Sequence, residues 1–413
     1  MGICKARLAA FRILRRIEKD KAFSSILLSQ VQKSLSPADR RLCHKVCLGV
    51  LRKKFLLDKI IDTLARGKKI DLEIRIILRM GLYQLIFLNR IPKHAAVDES
   101  VKLTEICSKP KAKGFVNAIL RNYESKELKL PEDPIDRLSI VESHPRFLIE
   151  RWIKQFGFEE TIELVKANNE EAGMDFRFTA KTSSAMKEKL SREDLLRLAD
   201  EGEIYFQDKA SQMVASLVEL SAEESFLDLC CAPGGKFTLI HYLLSEKPKK
   251  LFVGADLYLR RLKTVEQICR KTGVEGYQLL VCDAEEPLPF ENESFDVILL
   301  DAPCSGTGTI RRNPEIRYFL EESDFLSLSE KQSRMIENAS KVLKKGGRLI
   351  YSTCSLEREE NEIVINNFLR TNKNFSLIKP SSSEHLTDEG FIRTFPHRDK
   401  TDGFFVSVLR RLY

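Results

Sequence analysis

From residue 225 onward the chain passes through five short apolar segments, "SFLDLCC", "KLFVGADL", "YQLLVCDA", "FDVILLDAP" and "GRLIYSTCS", each separated from the next by helical periodicity. Strands joined through helices cannot pair as hairpins. They lie side by side in a parallel sheet whose two faces the helices cover. That is the doubly wound architecture, which takes ligands beyond the carboxyl ends of its strands. The residues that end the strands therefore bear most directly on function.

The first strand runs into "DLCCAPGGKFT". Pro233, Gly234 and Gly235 predict a tight turn whose backbone can approach a ligand, just ahead of a helix N-terminus that favours anionic groups. It is not a phosphate-binding Walker loop, because Cys230 stands where the first glycine belongs and Phe237 follows Lys236. The G-x-G-x-x-G pattern is absent too, so a dinucleotide dehydrogenase fits poorly. Asp256, 28 residues after Asp228, ends the second strand, where a carboxylate can accept both hydroxyls of a ribose. Asp283 ends the third and could accept from an exocyclic amino group. A lone acid after a strand is commonly a helix cap; two behind a glycine turn describe a nucleoside pocket. S-adenosylmethionine, which needs a turn for its carboxylate and an acid for its ribose but no phosphate cradle, suits that pocket best.

The strands ending in "DAPCSGTG" and "YSTCSLEREENE" should be neighbours, which would bring Cys304 and Cys354 into one cleft beside it. Two thiols there suggest methylation at carbon 5 of cytosine. That carbon becomes nucleophilic only after a thiolate adds to carbon 6. Asp301 is placed to hydrogen-bond the ring N3 and amino group as charge develops.

These segments, together with "DAPCSGTGTIRRNPEI", resemble the RNA (cytosine-5)-methyltransferases of the Sun/NOL1/NOP2 family. The resemblance implies a Rossmann-like class I methyltransferase domain. It also implies Cys354 as nucleophile and Cys304 as the residue that assists product release. Cys230, Cys231, Ala232, Pro233, Gly234, Gly235, Lys236, Asp256, Asp283 and Asp301 would form the adenosylmethionine site. Cys231 and Phe237 replace the family's usual alanine and threonine, and "NNEEAGMDFRFTA" departs from its usual proline-containing stretch.

The first third is different. "ARLAAFRILRRI" places Leu8, Phe11, Leu14 and Ile17 at helical spacing, and Ser36, Pro37 and Asp39 form a helix-start signal. Residues 1–125 carry 27 Lys and Arg against 11 Asp and Glu, a net of +16, whereas the remainder carries 41 against 49, a net of −8. So one-sided an excess points to a module that meets phosphates. "DRRLCHKVCLGVLRKKFLLDKII" and "GFVNAILRN" resemble a NusB-type helical RNA-binding domain. His94 reads as a helix-start or packing residue and Trp152 as core. Arg311 and Arg312, just past the Cys304 loop, are candidates for holding a phosphate.

The expected organisation is an all-α NusB-like bundle at 1–130, a small α+β RNA-binding subdomain at 131–222 and the methyltransferase at 223–413. The linker "ESKELKLPEDPID" follows the first of these. Ten scattered cysteines without a C-x-x-C pair predict core thiols in a reducing cytoplasm, neither disulfides nor a metal site. No apolar run approaches the ~18–20 residues of a membrane span. The resemblance implies action on 16S rRNA with adenosylmethionine as methyl donor; the base must be unstacked to reach Cys354, which points to naked or partly assembled rRNA, and a monomer is expected. A tRNA or 23S rRNA substrate, or a non-catalytic RNA-binding regulator, are the alternative readings.

Overall fold

The computed structural model describes residues 3–31, 34–124, 127–182, 190–244, 246–380 and 384–413. They fall into two compact units, Met1–Glu171 with Ile310–Leu320, and Ala172–Thr309 with Glu321–Tyr413.

The first unit is helical: α1 (Lys5–Asp20), α2 (Ser24–Gln30), α3 (Pro37–Arg52), α4 (Lys54–Ala65), α5 (Leu72–Phe87), α6 (Lys93–Ile106), α7 (Lys113–Arg121), α8 (Pro134–Glu142), α9 (Arg146–Phe156) and α10 (Phe158–Ala167). Phe11, Leu14 and Ile17 are buried as the spacing of α1 predicts, and Leu8 is half-buried against the same core. Ser36 caps α3, accepting from the Asp39 N–H at 3.2 Å and donating to its carboxylate at 2.7 Å. Helix α5 is buried on nearly every side. Helix α3 approaches it so closely that a Cβ on Gly49 would lie 1.9 Å from Tyr83 Cζ. The one strong charge on the buried stretch of α5, Arg79, is 5% exposed; its guanidinium meets Glu18 at 2.8 Å and Asp58 at 2.7 Å.

The stretch 131–222, expected as one subdomain, is divided between the units. Helices α8 to α10 are amphipathic, and burial of Leu148, Ile149, Trp152, Leu164 and Val165 draws them to the helical side, α8 packing on α4. Ser125 and Lys126 of the expected linker lie outside the described residues, as do 183–189 of the middle stretch.

The second unit opens with a small antiparallel pair, β1 (Phe176–Phe178) and β2 (Ile204–Phe206), connected through α11 (Arg192–Glu201). After α12 (Lys209–Ser216) come β3 (Phe226–Asp228), α13 (Gly235–Leu243), β4 (Phe252–Asp256), α14 (Leu259–Thr272), β5 (Gln278–Val281) and β6 (Phe295–Asp301). Short α15 (Ile316–Phe319) sits in the segment that belongs to the helical unit. Then follow α16 (Glu322–Val342), β7 (Leu343–Thr353), α17 (Glu362–Thr371), β8 (Phe375–Ile378), β9 (Ile392–Thr394), α18 (Pro396–Asp399) and β10 (Phe404–Arg411).

The main sheet has the order β5-β4-β3-β6-β7-β10-β8, with β9 beside β10. The five expected strands are parallel to one another, but β10 runs antiparallel to β7, β8 and β9, so the sheet is mixed. Strand period 2 builds its two cores. Leu227, Ile298, Leu300, Leu349 and Tyr351 face one helical layer, while Phe226, Val297, Leu299 and Ile350 face the other. Strand order reverses between β3 and β6, and the crevice beyond their carboxyl ends is where such a sheet takes its ligand.

Candidate active site

At the end of β3 the chain turns through Cys230 to Gly234 and enters α13. Gly234, with φ +113°, is the residue before the helix, and a Cβ on it would press to 3.3 Å on Val265. The Cys231 N–H donates to the Ala255 carbonyl at 2.9 Å, and Arg261 donates to the Ala232 carbonyl at 3.0 Å. Arg177 of β1 braces the turn from behind, donating to the Gly235 carbonyl at 3.0 Å and to Thr238 Oγ1 at 2.6 Å.

Asp256 and Asp283 each close a tight turn by accepting from the N–H two residues on. The Tyr258 N–H donates to Asp256 Oδ1 at 3.2 Å and the Glu285 N–H to Asp283 Oδ1 at 2.9 Å. Asp256 still has capacity: among the described residues its buried Oδ2 accepts no hydrogen bond, although Arg261 Nη1 lies 3.3 Å away. Buried Asp228 Oδ1 is likewise without a partner among the described residues. Burial, then the charge of Asp301, pushes the Asp228 carboxyl well above the usual range. Buried carboxylate oxygens left unpaired are costly unless something donates to them. A ligand with hydroxyl and amino donors, as in a nucleoside amino acid, fits this end of the sheet.

The parallel register of β6 and β7 sets Asp301 opposite Ser352, and the two loops that follow bring the cysteines together. Cys304 Sγ and Cys354 Sγ are 3.2 Å apart, and the Cys354 N–H points at the Cys304 sulfur from 3.3 Å. Both are free thiols, half-buried. The bond to Cys354, together with burial, raises the Cys304 pKa well above the ordinary thiol value, so Cys304 keeps its proton. Asp301 accepts from Ser352 Oγ at 2.7 Å and from Lys236 Nζ at 2.7 Å. Burial alone would lower the Lys236 ammonium. Asp301, by charge and hydrogen bond, then Cys354 and Asp228, outweigh it and hold the lysine charged. A cation is thus maintained beside the Asp301 carboxylate and the Cys354 thiol.

The sequence-predicted residues Cys230–Lys236, Asp256, Asp283, Asp301, Cys304 and Cys354 all end or follow strands at this one edge. Arg311 belongs to the helical unit and is 6% exposed, and Arg52 Nη2 donates to its carbonyl at 3.0 Å. Arg312 is half-buried. Sequence reasoning did not single out Ser352, Asp228 or Glu360. Only the strand-end rule could have signalled the first two, and the repeated glutamates of "EREENE", of which Glu357, Glu360 and Glu362 are all buried, do not say which one meets the cysteine loops. Among the described residues, no cluster of three or more His, Cys, Asp or Glu could hold a metal, and no helix is long and apolar enough to cross a membrane.

Residues 215–410 match the family model described as 16S rRNA methyltransferase RsmB/F, and residues 4–125 match that of the NusB family. Fold and site thus define a Rossmann-like methyltransferase carrying a NusB-family helical domain. The chain is 31% identical to the probable ribosomal RNA small subunit methyltransferase B of Bacillus subtilis, over 97% of this chain and 98% of the relative. It is also 31% identical to the ribosomal RNA small subunit methyltransferase B of Vibrio cholerae, over 99% and 98%. The chain belongs to the ribosomal RNA small subunit methyltransferase B family. Among solved structures, the crystal structure of PH0851 superposes with a TM-score of 0.84 at 25% identity, over 100% of both chains. A methyltransferase homologue from Pyrococcus horikoshii gives 0.54 at 25% identity, over 68% of this chain and 100% of that one.

Proposed function

We propose that this enzyme transfers a methyl group from S-adenosylmethionine to carbon 5 of a cytosine in 16S rRNA through a covalent adduct at Cys354. The observation that carries this reading is the pair of thiols 3.2 Å apart beside Asp301 and Lys236. Cys354, as thiolate, adds to carbon 6 and turns the ring into an enamine, which makes carbon 5 nucleophilic. Asp301, oriented by Ser352 and Lys236, hydrogen-bonds the ring N3 and amino group and steadies the developing charge. When bound, adenosylmethionine would supply the electrophilic methyl group and leave as the thioether; the 230–236 turn would hold its carboxylate, Asp256 its ribose and Asp283 its adenine amino group. After methylation the carbon 5 proton passes to solvent water. The carbon–sulfur bond then breaks, the ring double bond reforms and the Cys354 thiolate returns. Cys304, adjacent to that sulfur, assists this release.

The target base must be unstacked to reach Cys354, which favours naked or partly assembled rRNA in the cytoplasm. The net +16 of residues 1–125 supplies salt-sensitive affinity, and Arg312 remains a candidate phosphate contact. We expect a monomer.

The test is a denaturing gel of wild type, Cys304→Ala and Cys354→Ala after incubation with adenosylmethionine and unmodified 16S rRNA, 23S rRNA or tRNA. An RNA adduct that accumulates only with Cys304→Ala, and only on 16S rRNA, is the expected result. An adduct with Cys354→Ala would reverse the two roles, and one on another RNA would change the substrate. Adenosylmethionine binding without methyl transfer to any RNA would leave a regulator.

A further inference from the structure

The two cysteine loops are tied together beneath the thiols by one side chain, Glu360, fully buried in the turn after β7. Its Oε1 accepts from Ser305 Oγ at 2.5 Å and from Ser355 Oγ at 2.6 Å, and those hydroxyls lie 3.0 Å from each other. Its Oε2 accepts from the Ser305 N–H at 2.8 Å and from Gln332 Nε2 at 3.1 Å. Ser305 follows Cys304 and Ser355 follows Cys354, so a single carboxylate grips the residue next to each thiol. Gln332 extends the grip, donating also to the Pro303 carbonyl at 3.0 Å. Glu360 is itself anchored, because the Tyr351 hydroxyl donates to its carbonyl at 2.6 Å.

We propose that Glu360 is a positioning residue that holds Cys304 against the sulfur of Cys354 and thereby sets the rate of product release. This inference rests on the two-cysteine reading above. The dependence on Glu360 is unequal. Ser305 gives it both a backbone N–H and a hydroxyl, while Ser355 gives it a hydroxyl alone. The Cys354 side also has ties of its own, Asn361 Nδ2 to the Ser355 carbonyl at 2.9 Å and the Glu357 N–H to Ser355 Oγ at 3.1 Å. Loosening Glu360 therefore frees the Cys304 loop first. Burial pushes its carboxyl up, against the pull of the Ser305, Ser355 and Gln332 bonds. The two N–H donors on Oε2 keep that oxygen an acceptor whatever the proton does at Oε1.

A glutamine can keep its oxygen on the Ser305 N–H and Gln332 and turn its NH2 to the two hydroxyls, which can accept from it. Glu360→Gln should therefore stay close to wild type, whereas Glu360→Ala removes every acceptor and frees Ser305. The alanine variant should behave as a weakened Cys304→Ala. We expect kcat to fall about 30- to 100-fold with KM for RNA and adenosylmethionine within twofold, as a displacement of about 1 Å implies. RNA–protein adduct should accumulate on a denaturing gel although Cys304 is present. A purely architectural role would lower the folded, cofactor-binding fraction and produce no adduct.

A folded Glu360→Ala that turns over within twofold of wild type, or that loses turnover with no adduct, would overturn the proposal. If Glu360→Ala does not fold, Ser305→Ala decides: slower turnover with some adduct supports the role, and unchanged turnover refutes it. If wild type does not methylate cytosine and Cys304→Ala traps no RNA, the two-cysteine reading has failed and this inference falls with it.

Discussion

Gly308→Ala adds one methyl group at the tightest backbone approach near the cysteines. The new Cβ would lie 2.1 Å from the Gly403 carbonyl oxygen and 2.7 Å from its carbon, in backbone that has no rotamer to change. An ordinary C···O contact needs about 3.3 Å, so the two segments must separate by roughly 1 Å. That stretches the bond from the Gly403 N–H to the Gly308 carbonyl, now 2.8 Å, beyond useful range. Overpacking of this kind costs about 1–3 kcal/mol, and the lost hydrogen bond adds about 0.5–1.5 kcal/mol. We expect a loss of roughly 2–4 kcal/mol in the methyltransferase unit, read as a lower Tm by calorimetry. Activity should suffer more, because the Gly308 N–H donates to the Cys354 carbonyl at 2.9 Å and carries that loop with it. A displacement near 1 Å implies a kcat reduced about 100-fold. Gly114→Ala, whose added methyl meets nothing within 4 Å in helix α7, is the control, and should be neutral or raise stability by up to about 1 kcal/mol. If Gly308→Ala matches wild type in Tm and kcat, the packing argument is wrong.

Lys236→Met keeps most of the length of the side chain and removes the ammonium that donates to Asp301. Its kcat should fall about 100-fold or more, because Asp301 loses a partner that orients it. A kcat within about threefold of wild type would remove Lys236 from the reaction. Asp296 offers a pH prediction outside the site. Burial would raise its carboxyl, but hydrogen bonds from Lys344 and Ser225 and the lysine charge bring it down to about 2. A depressed carboxyl contributes stability above its ordinary pKa, and that contribution is lost as pH falls from near 4 through about 2. Lys344→Ala should therefore unfold at a higher pH in an acid titration followed by circular dichroism, and an unchanged midpoint would refute the coupling.

Much of the site was legible because it obeys local rules. Apolar runs of strand length between helical patterns force a parallel sheet, and a parallel sheet sends its strand ends to one edge. Asp256, Asp283, Asp301, Cys304 and Cys354 could therefore be grouped before any coordinates. The glycine turn was legible because Gly234 must hold a backbone angle that other residues resist. Strands β8 to β10 escaped because "FFVSVLRR" follows a stretch with no helical rhythm to mark it off, and strand direction is set by which neighbour accepts its hydrogen bonds.

The sequence alone determined the alternation of strands and helices, the placement of thiols and acids at the ends of the strands, and the concentration of positive charge in the first third. These follow from periodicity and chemistry within a few residues of each other. The tertiary structure alone decided that Ser305, Ser355 and Gln332 meet on Glu360, that Asp301 is shared between Ser352 and Lys236, and that Arg311 is enclosed. It also drew α8 to α10 into the helical unit. Apart from Ser355 and Glu360, five residues from each other, these hydrogen bonds join positions 28 to 65 residues apart and are chosen by burial. A polar group removed from water must find a partner wherever the fold has brought one within hydrogen-bond reach.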